Sequence, residues 1–206
     1  LVDVQETYNK GNIDTLLTSS LSVPMDGVGG LIGMVMNMKL KNSYNSGDLN
    51  VAYWDDCVEP YNCGILPYSG GLVGTSVVSS MRNSYNRGNI TVSDSEGDVN
   101  EGGIGGLLGY LLLQESLVDD VINNLGKDFV ARVTTYIAEV INNFAIGLIT
   151  NNFSDDDVYV GGLIGMLFVA NCTENDCASE YINFQNNWWF NGISKAIGYI
   201  TGDTSG

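Results

Sequence analysis

Two short motifs alternate along this chain, and their alternation constrains the fold more than any other feature. The first is Tyr-Asn-x-Gly followed by a polar and an aliphatic residue, and it occupies 8–13, 44–49 and 85–90, with an altered copy at 142–149. The second is Gly-Gly-Leu-aliphatic-Gly, and it occupies 29–33, 70–74, 105–109 and 161–165. A degenerate last copy combines 186–193 with 196–199. Such a repeat indicates stacked units that bury a shared core.

The residues of the two motifs indicate short strands joined by tight turns. Residues 34–41 alternate with a period of two, which predicts one strand that buries Met34, Met36, Met38 and Leu40. The paired glycines allow either a positive φ or a close backbone approach at a corner, and Asn-x-Gly supplies the next turn. We therefore expect an all-β fold in a single domain, 1–206: a right-handed parallel β-helix, or β-solenoid, of about four to five irregular repeats.

The same alternation resembles a known repeat family. Asn-Ser-Tyr-Asn-x-Gly followed by Gly-Gly-Leu-(Val/Ile)-Gly is similar to the GLUG repeat, named for its Gly-Leu-x-Gly core, over residues 6–166. The triplet Tyr53-Trp54-Asp55 is similar to one that accompanies such repeats. The resemblance implies a β-helical solenoid and a surface or secreted protein of bacteria, often an adhesin. It carries no catalytic residues over to this chain.

Several segments depart from a regular repeat. The distance from the Leu of the second motif to the next aromatic residue is 13 residues twice, but it is 37 residues from Leu107 to Phe144. We interpret 110–141 as an insertion, with a helix over 117–125 that Ser116 caps, and leave 128–141 as strand or second helix. Residues 1–7 are a candidate donor or cap strand, and 167–206 form a degenerate terminal repeat or cap.

Charge excludes several classes of partner. The chain has 24 Asp and Glu against 8 Lys and Arg, a formal charge of −16, and it has no His. An acidic surface repels phosphate backbones and anionic lipid, so we expect no nucleic acid partner. The sequence contains no run of about 18 consecutive apolar residues, so we expect no membrane insertion. The absence of His removes Ser-His and Cys-His catalysis and His-ligated metals.

Cysteines and sequons favour an oxidising compartment. The cysteines form two close pairs, Cys57 with Cys63 and Cys172 with Cys177, and local disulfides are the favoured interpretation. A four-cysteine zinc site is the alternative, although its spacing fits poorly. Asn89, Asn152 and Asn171 begin Asn-x-Ser/Thr sequons and are N-glycosylation candidates. We expect an extracellular or cell-surface location.

Carboxylates and aromatic residues supply the remaining candidates. Asp94, Glu96 and Asp98 are calcium candidates, with solvated turns as the alternative and no other cofactor expected. A carboxylate pair could hydrolyse glycosides on such a fold, but the acids do not recur between repeats, so we expect no enzyme activity. Trp188, Trp189 and Phe190 either cap the last repeat, form a subunit interface or stack on sugars.

Two functions follow from these patterns. The first is an extracellular structural protein, a subunit of a filament, surface appendage or adhesin stalk that assembles head to tail without catalysis. Val2 and Val4 at one end and the Trp188 cluster at the other are its interface candidates. The alternative is an adhesin module that binds a glycan or host protein through the loops of Trp54 and Trp188. A carbohydrate-active enzyme ranks third.

Overall fold

The chain folds into parallel β-sheets. A computed structural model describes residues 2–19, 27–55, 68–96, 102–113, 138–153, 158–169, 182–190 and 192–201. Within them there are 23 strands and no helix, and every strand pairing is parallel. The fold is therefore all-β, and its parallel sheets are compatible with a β-helix.

Consecutive strands fall into successive sets that pair with one another, and we call each set a layer. Layer 1 contains β1 (Val2–Gln5), β2 (Tyr8–Asn9), β3 (Ile13–Ser19), β4 (Gly27–Gly29) and β5 (Ile32–Met36). Layer 2 contains β6 (Met38–Lys41), β7 (Tyr44–Asn45), β8 (Leu49–Asp55), β9 (Tyr68–Gly70) and β10 (Val73–Val77). Layer 3 contains β11 (Ser80–Arg82), β12 (Tyr85–Asn86), β13 (Ile90–Glu96), β14 (Gly102–Gly105) and β15 (Leu108–Leu113).

The later layers follow the same order. Layer 4 contains β16 (Ala138–Ile141), β17 (Phe144–Ala145), β18 (Ile149–Asn151), β19 (Val158–Gly161) and β20 (Ile164–Val169). Layer 5 contains β21 (Ile182–Gln185), β22 (Trp188–Trp189) and β23 (Ile197–Thr201). The degenerate last motif copy therefore pairs in the register of the repeat, β22 with β17 and β23 with β20.

Equivalent strands of successive layers build five sheets, numbered here in chain order. Sheet 1 is β1-β6-β11-β16-β21, sheet 2 is β2-β7-β12-β17-β22, and sheet 5 is β5-β10-β15-β20-β23. Sheet 3 is β3-β8-β13-β18 and sheet 4 is β4-β9-β14-β19. Sheets 1, 2 and 5 thus run through all the layers, whereas sheets 3 and 4 end at layer 4.

The glycine motif lies at the corner between sheets 4 and 5, where two backbones nearly touch. A Cβ on Gly70 would lie 2.6 Å from the Gly109 nitrogen and 2.8 Å from the Leu107 oxygen, and one on Gly74 would meet the backbone of β4 even more closely. Close approach is therefore the reason for these glycines, since none of them has a left-handed φ. The Leu of the motif is buried beside this corner at Leu72, Leu107 and Leu163.

Two apolar clusters fill the interior and a third lies along sheet 5. One joins sheet 1 to sheet 5 through residues such as Leu40, Val140 and Leu111, and a second joins sheets 3 and 4 through residues such as Leu49 and Ile104. The third lies on the other side of sheet 5. Full burial of each such side chain stabilises the fold by about 1.5–3 kcal/mol, so stacking supplies the core that one layer lacks.

The predicted strand over 34–41 is wrong in one respect. The chain turns at Asn37, whose φ is 52°, so β5 ends at Met36 and β6 begins at Met38. Met38 and Leu40 are fully buried, but Met34 and Met36 are 45% and 39% exposed. The turn inverts the alternation, so Val35 packs against the core instead.

The predicted insertion is shorter than 110–141. β15 continues to Leu113 and β16 resumes at Ala138, and both strands keep the register of their sheets. The part of 128–141 that the structure describes, 138–141, is strand. The predicted helix over 117–125 lies outside the described residues.

We expect Gly74→Ala to lower the free energy of unfolding by about 2–3 kcal/mol or more, because its Cβ would press on backbone that cannot move independently. Gly11→Ala is the matched control, since the nearest atom to its Cβ is Asn9 Oδ1 at 3.8 Å. Urea denaturation followed by circular dichroism measures both. Equal stability of the two variants would contradict the close-packed corner.

A buried serine supplies a second prediction. Ser76 lies between Val35 and Leu111 in sheet 5, and its hydroxyl has no hydrogen-bond partner among the described residues. Ser76→Ala should therefore raise the free energy of unfolding by about 1 kcal/mol, because a desolvated hydroxyl is removed.

The control for this serine is Ser84→Ala. Ser84 Oγ donates to the Arg82 oxygen at 2.9 Å and accepts from the Ser43 nitrogen at 3.2 Å. Its removal should lower the free energy of unfolding by about 1–3 kcal/mol. A loss of stability in both variants would show that the Ser76 hydroxyl is paired.

Candidate functional site

Polar side chains form continuous ladders at the corner between sheets 1 and 2. Asn42, Asn83, Asn142 and Asn186 all have positive φ values, between 51° and 57°. Each amide nitrogen donates to the amide oxygen of the preceding layer, at 3.2 Å in all three steps. Asparagine suits this place because it tolerates a left-handed backbone and also bonds to its own kind across layers.

A second asparagine ladder is enclosed beside the next turn. Asn45 Nδ2 donates to Asn86 Oδ1 at 3.0 Å, and Asn45 Oδ1 accepts from Asn9 Nδ2 at 2.9 Å. The same amide donates to the Gly47 oxygen at 2.8 Å and accepts from the Gly47 nitrogen at 3.2 Å. The Asn-x-Gly turn is therefore closed by its own asparagine and fixed to the layers on both sides.

An aromatic stripe runs along sheet 2. Tyr8, Tyr44, Tyr85 and Phe144 stack face to face with centroid separations of 5.4, 4.9 and 4.5 Å, so equivalent positions of the repeat form a continuous ladder of rings. Trp188 follows in register opposite Phe144. The stripe is most open at its two ends, because Tyr8 is 60% exposed and Trp188 is 73% exposed.

Large exposed apolar side chains concentrate at the two ends of the stack. Layer 1 contributes Val2, Tyr8, Leu16, Met34 and Met36. Layer 5 contributes Trp188, Phe190 and Tyr199, and layer 4 contributes Ile146 and Leu148 where it leads into β18, the last strand of sheet 3. None of the large apolar side chains described in layers 2 and 3 is exposed to this extent. Among the described residues, the large exposed apolar side chains therefore lie near the two ends of the stack.

Both ends also carry open sheet edges. Among the described strands, β1, β2 and β5 each have a neighbour on one side only, and so do β21, β22 and β23. The outward backbone groups of such strands have no partner in the ladder and favour pairing with another strand. The two ends are therefore the candidate functional site.

A shallow cavity of about 220 Å³ lies on the outer face of sheet 1. It is lined by Lys39, Leu40, Lys41, Ser80, Arg82 and Glu139. Arg82 and Glu139 form a two-point ion pair, with Nε donating to Oε2 at 3.0 Å. The single carboxylate of this lining is thus already paired with a guanidinium, so the cavity lacks the two carboxylates of a glycosidase.

The interface candidates fall at opposite ends. Val2 is 48% exposed, while Val4 is half-buried against the core, and both belong to β1, which pairs with β6 of the same chain. At the other end Trp189 is half-buried, covers Gly162 and donates from Nε1 to the Ile193 oxygen at 3.0 Å. Trp188 and Phe190 are exposed. Within this group, Trp189 packs onto layer 4 at Gly162, whereas Trp188 and Phe190 present an apolar surface.

The other candidates are placed only in part. Asn89 and Asn152 are exposed, and Asn89 Oδ1 accepts from the Leu148 nitrogen at 3.0 Å. Asp94 and Glu96 lie in β13, whose backbone alone is described there. Asp98, Asn171 and the four cysteines lie outside the described residues. The glycosylation, calcium and disulfide assignments stay predictions.

Sequence reasoning missed Leu16, Met34, Met36 and Tyr199 as end residues. They lie in layer 1 or layer 5, which pair on one side only among the described strands, and Met34 and Met36 also lie on the face of β5 opposite Val35, which packs against the core. Position in the repeat was the available signal, because the first and last copies of any stack are uncovered on one side.

Within the described part of the chain, no helix has the length and apolarity needed to cross a membrane. No family model, curated protein or solved structure matches this chain.

The aromatic stripe generates a prediction. Tyr44 stacks on both Tyr8 and Tyr85, so Tyr44→Ala should lower the free energy of unfolding by about 1–3 kcal/mol through two lost ring pairs. Tyr44→Phe keeps both pairs and should stay within about 0.5 kcal/mol of the parent. Chemical denaturation compares them. A Phe variant as unstable as the Ala variant would assign the effect to the hydroxyl rather than to stacking.

Proposed function

We propose that this chain is a self-assembling structural subunit of an extracellular filament, surface appendage or adhesin stalk. One observation carries the proposal: the exposed large apolar side chains lie at the two ends of the stack, and both ends have open strand edges. Apolar surface on an open edge favours a second chain as the neighbour that the end layer lacks. Two different ends make a contact that does not close, so the product is a linear polymer.

The same proposal includes the handedness of the solenoid and its number of turns. We infer a right-handed β-solenoid of about four to five irregular turns, since parallel crossover connections are right-handed in about 98% of cases. The GLUG resemblance, the predicted disulfides and the sequons support an extracellular surface protein without catalytic activity. The net charge of −16 opposes lateral association of such polymers.

Electron microscopy and sedimentation at rising protein concentration test the assembly. We expect the wild-type protein to form linear polymers and Met34→Lys to remain monomeric, because the variant places a charge in the apolar end of layer 1. Ser46→Lys introduces the same charge at an exposed place in layer 2 and should polymerise like the wild type. A wild-type protein that stays monomeric at every concentration contradicts the proposal.

The second candidate function is an adhesin-type binding module for a glycan. The observation in its favour is Trp188, which is 73% exposed at the end of a stacked aromatic stripe and so offers an indole for a sugar ring. A glycan array probed with the Met34→Lys chain separates binding from assembly. Glycan binding that is lost when Trp188→Ala is added supports the binding function. An array on which no glycan is bound contradicts it.

A further inference from the structure

We propose that each end binds a second copy of this chain in one fixed register, with β21, β22 and β23 of one copy pairing with β1, β2 and β5 of the next. This inference rests on the proposed self-assembly and specifies its contact. Among the described strands, sheets 1, 2 and 5 are the ones that have a strand in both layer 1 and layer 5. A second copy could therefore continue each of these three sheets by the same parallel pairing.

The buried columns match across this contact. In sheet 1, one inward column runs Val4, Leu40, Met81, Val140 and Phe184, as the strand registers show. The next copy's Val4 would cover Phe184, which is half-buried here. In sheet 5, Ile200 ends the column that begins at Val35, and both side chains are only partly buried against the core. Each column thus ends with a partly covered apolar residue at both ends.

The outer columns match as well. Trp188 would stack on Tyr8 of the next copy and extend the aromatic stripe, whose two terminal rings are its most exposed members. Tyr199, which is 38% exposed, would lie beside Met34 of the next copy, which is 45% exposed. The chain already uses this pair internally, since Tyr110 lies opposite Met166 in sheet 5. Sulfur and aromatic rings attract one another.

Alternate backbone N–H groups of β1 face away from β6, and the Gln5 oxygen on that side accepts from Thr7 Oγ1 at 3.3 Å. The Val2 nitrogen donates to the Asn37 oxygen and the Glu6 nitrogen donates to the Lys41 oxygen, so alternate residues of β1 face layer 2. The intervening residues, Asp3 and Gln5, direct their N–H and C=O groups toward the open edge. At the other end, the Gln185 oxygen accepts from the Asn142 nitrogen, so Phe184 directs its backbone groups outward.

Charge complements this geometry. The described residues of layer 1 include Asp3, Glu6 and Asp14 against Lys10. Those of layer 5 contain no Asp or Glu, and their one charged side chain is Lys195. Contact between these described surfaces therefore brings fewer like charges together than contact between two copies of layer 1.

Gln5→Pro tests the edge pairing. Proline removes an N–H that faces the open edge and leaves the hydrogen bonds from β1 to β6 in place. We expect a normal unfolding midpoint and at least about a tenfold rise in the concentration needed for polymerisation. Gln5→Ala keeps the N–H and should polymerise at a concentration within about twofold of the wild type. Unchanged polymerisation of a folded Gln5→Pro chain overturns the inference.

A charge pair tests the register and does not depend on the proline variant. Gln5 of one copy would lie opposite Gln185 of its neighbour, so Gln5→Glu combined with Gln185→Lys should polymerise at a several-fold lower concentration than Gln5→Glu combined with Gln185→Glu. The difference should shrink in high salt. The contact of residue 5 with Lys41 is common to both variants and cancels.

The outcomes separate this inference from the proposed function. If polymers form equally well with either charge combination, the proposed register is wrong, but the proposed self-assembly is not contradicted. Head-to-head dimers in electron micrographs overturn the inference in the same way. A wild-type chain that never polymerises contradicts both.

Discussion

The structure depends on parallel pairing of each strand with its equivalent in the next layer. This pairing brings side chains of the same kind into direct contact, so each motif position becomes a column: asparagine on asparagine, tyrosine on tyrosine, leucine on leucine. Because the partner of each residue lies a whole layer away in sequence, no part of the stack is stable through local contacts alone. Stability therefore accumulates layer by layer, as expected for an elongated repeat fold.

The two commonest residue types of the motifs solve different problems in this arrangement. Glycine lets the backbones of sheets 4 and 5 come together without side chains between them, as at Gly70 and Gly74. Asparagine supplies a left-handed corner and a hydrogen bond to the next layer at once, as at Asn83. The close approach requires the absence of a side chain, and the left-handed corner with its hydrogen bond requires a short amide. Replacing either residue by a larger one should therefore lower the stability of the fold.

Much of this was visible in the sequence, because a repeated motif reports a repeated environment. The all-β class with parallel strands and the corner at the paired glycines were predicted from the repeat, the period of two and the turn residues. The turn at Asn37 did not, since the period of two runs through it unchanged while the backbone reverses which face is buried. The exposure of Met34 follows from the same turn, because the reversal leaves Met34 on the face of β5 opposite Val35, which packs against the core.

The connections between sheets differ in how much variation they accept. Those from sheet 1 to sheet 2 and from sheet 4 to sheet 5 always have two residues, and those from sheet 2 to sheet 3 always have three. Apart from layer 5, where sheet 2 connects directly to sheet 5, the length variation falls between sheets 3 and 4 and between sheets 5 and 1, where the cysteine pairs and most acidic segments also lie. Three of the connections between sheets therefore have a fixed length. The other two accept segments of different length while the layers keep their register, so they are the places where insertions can be tolerated.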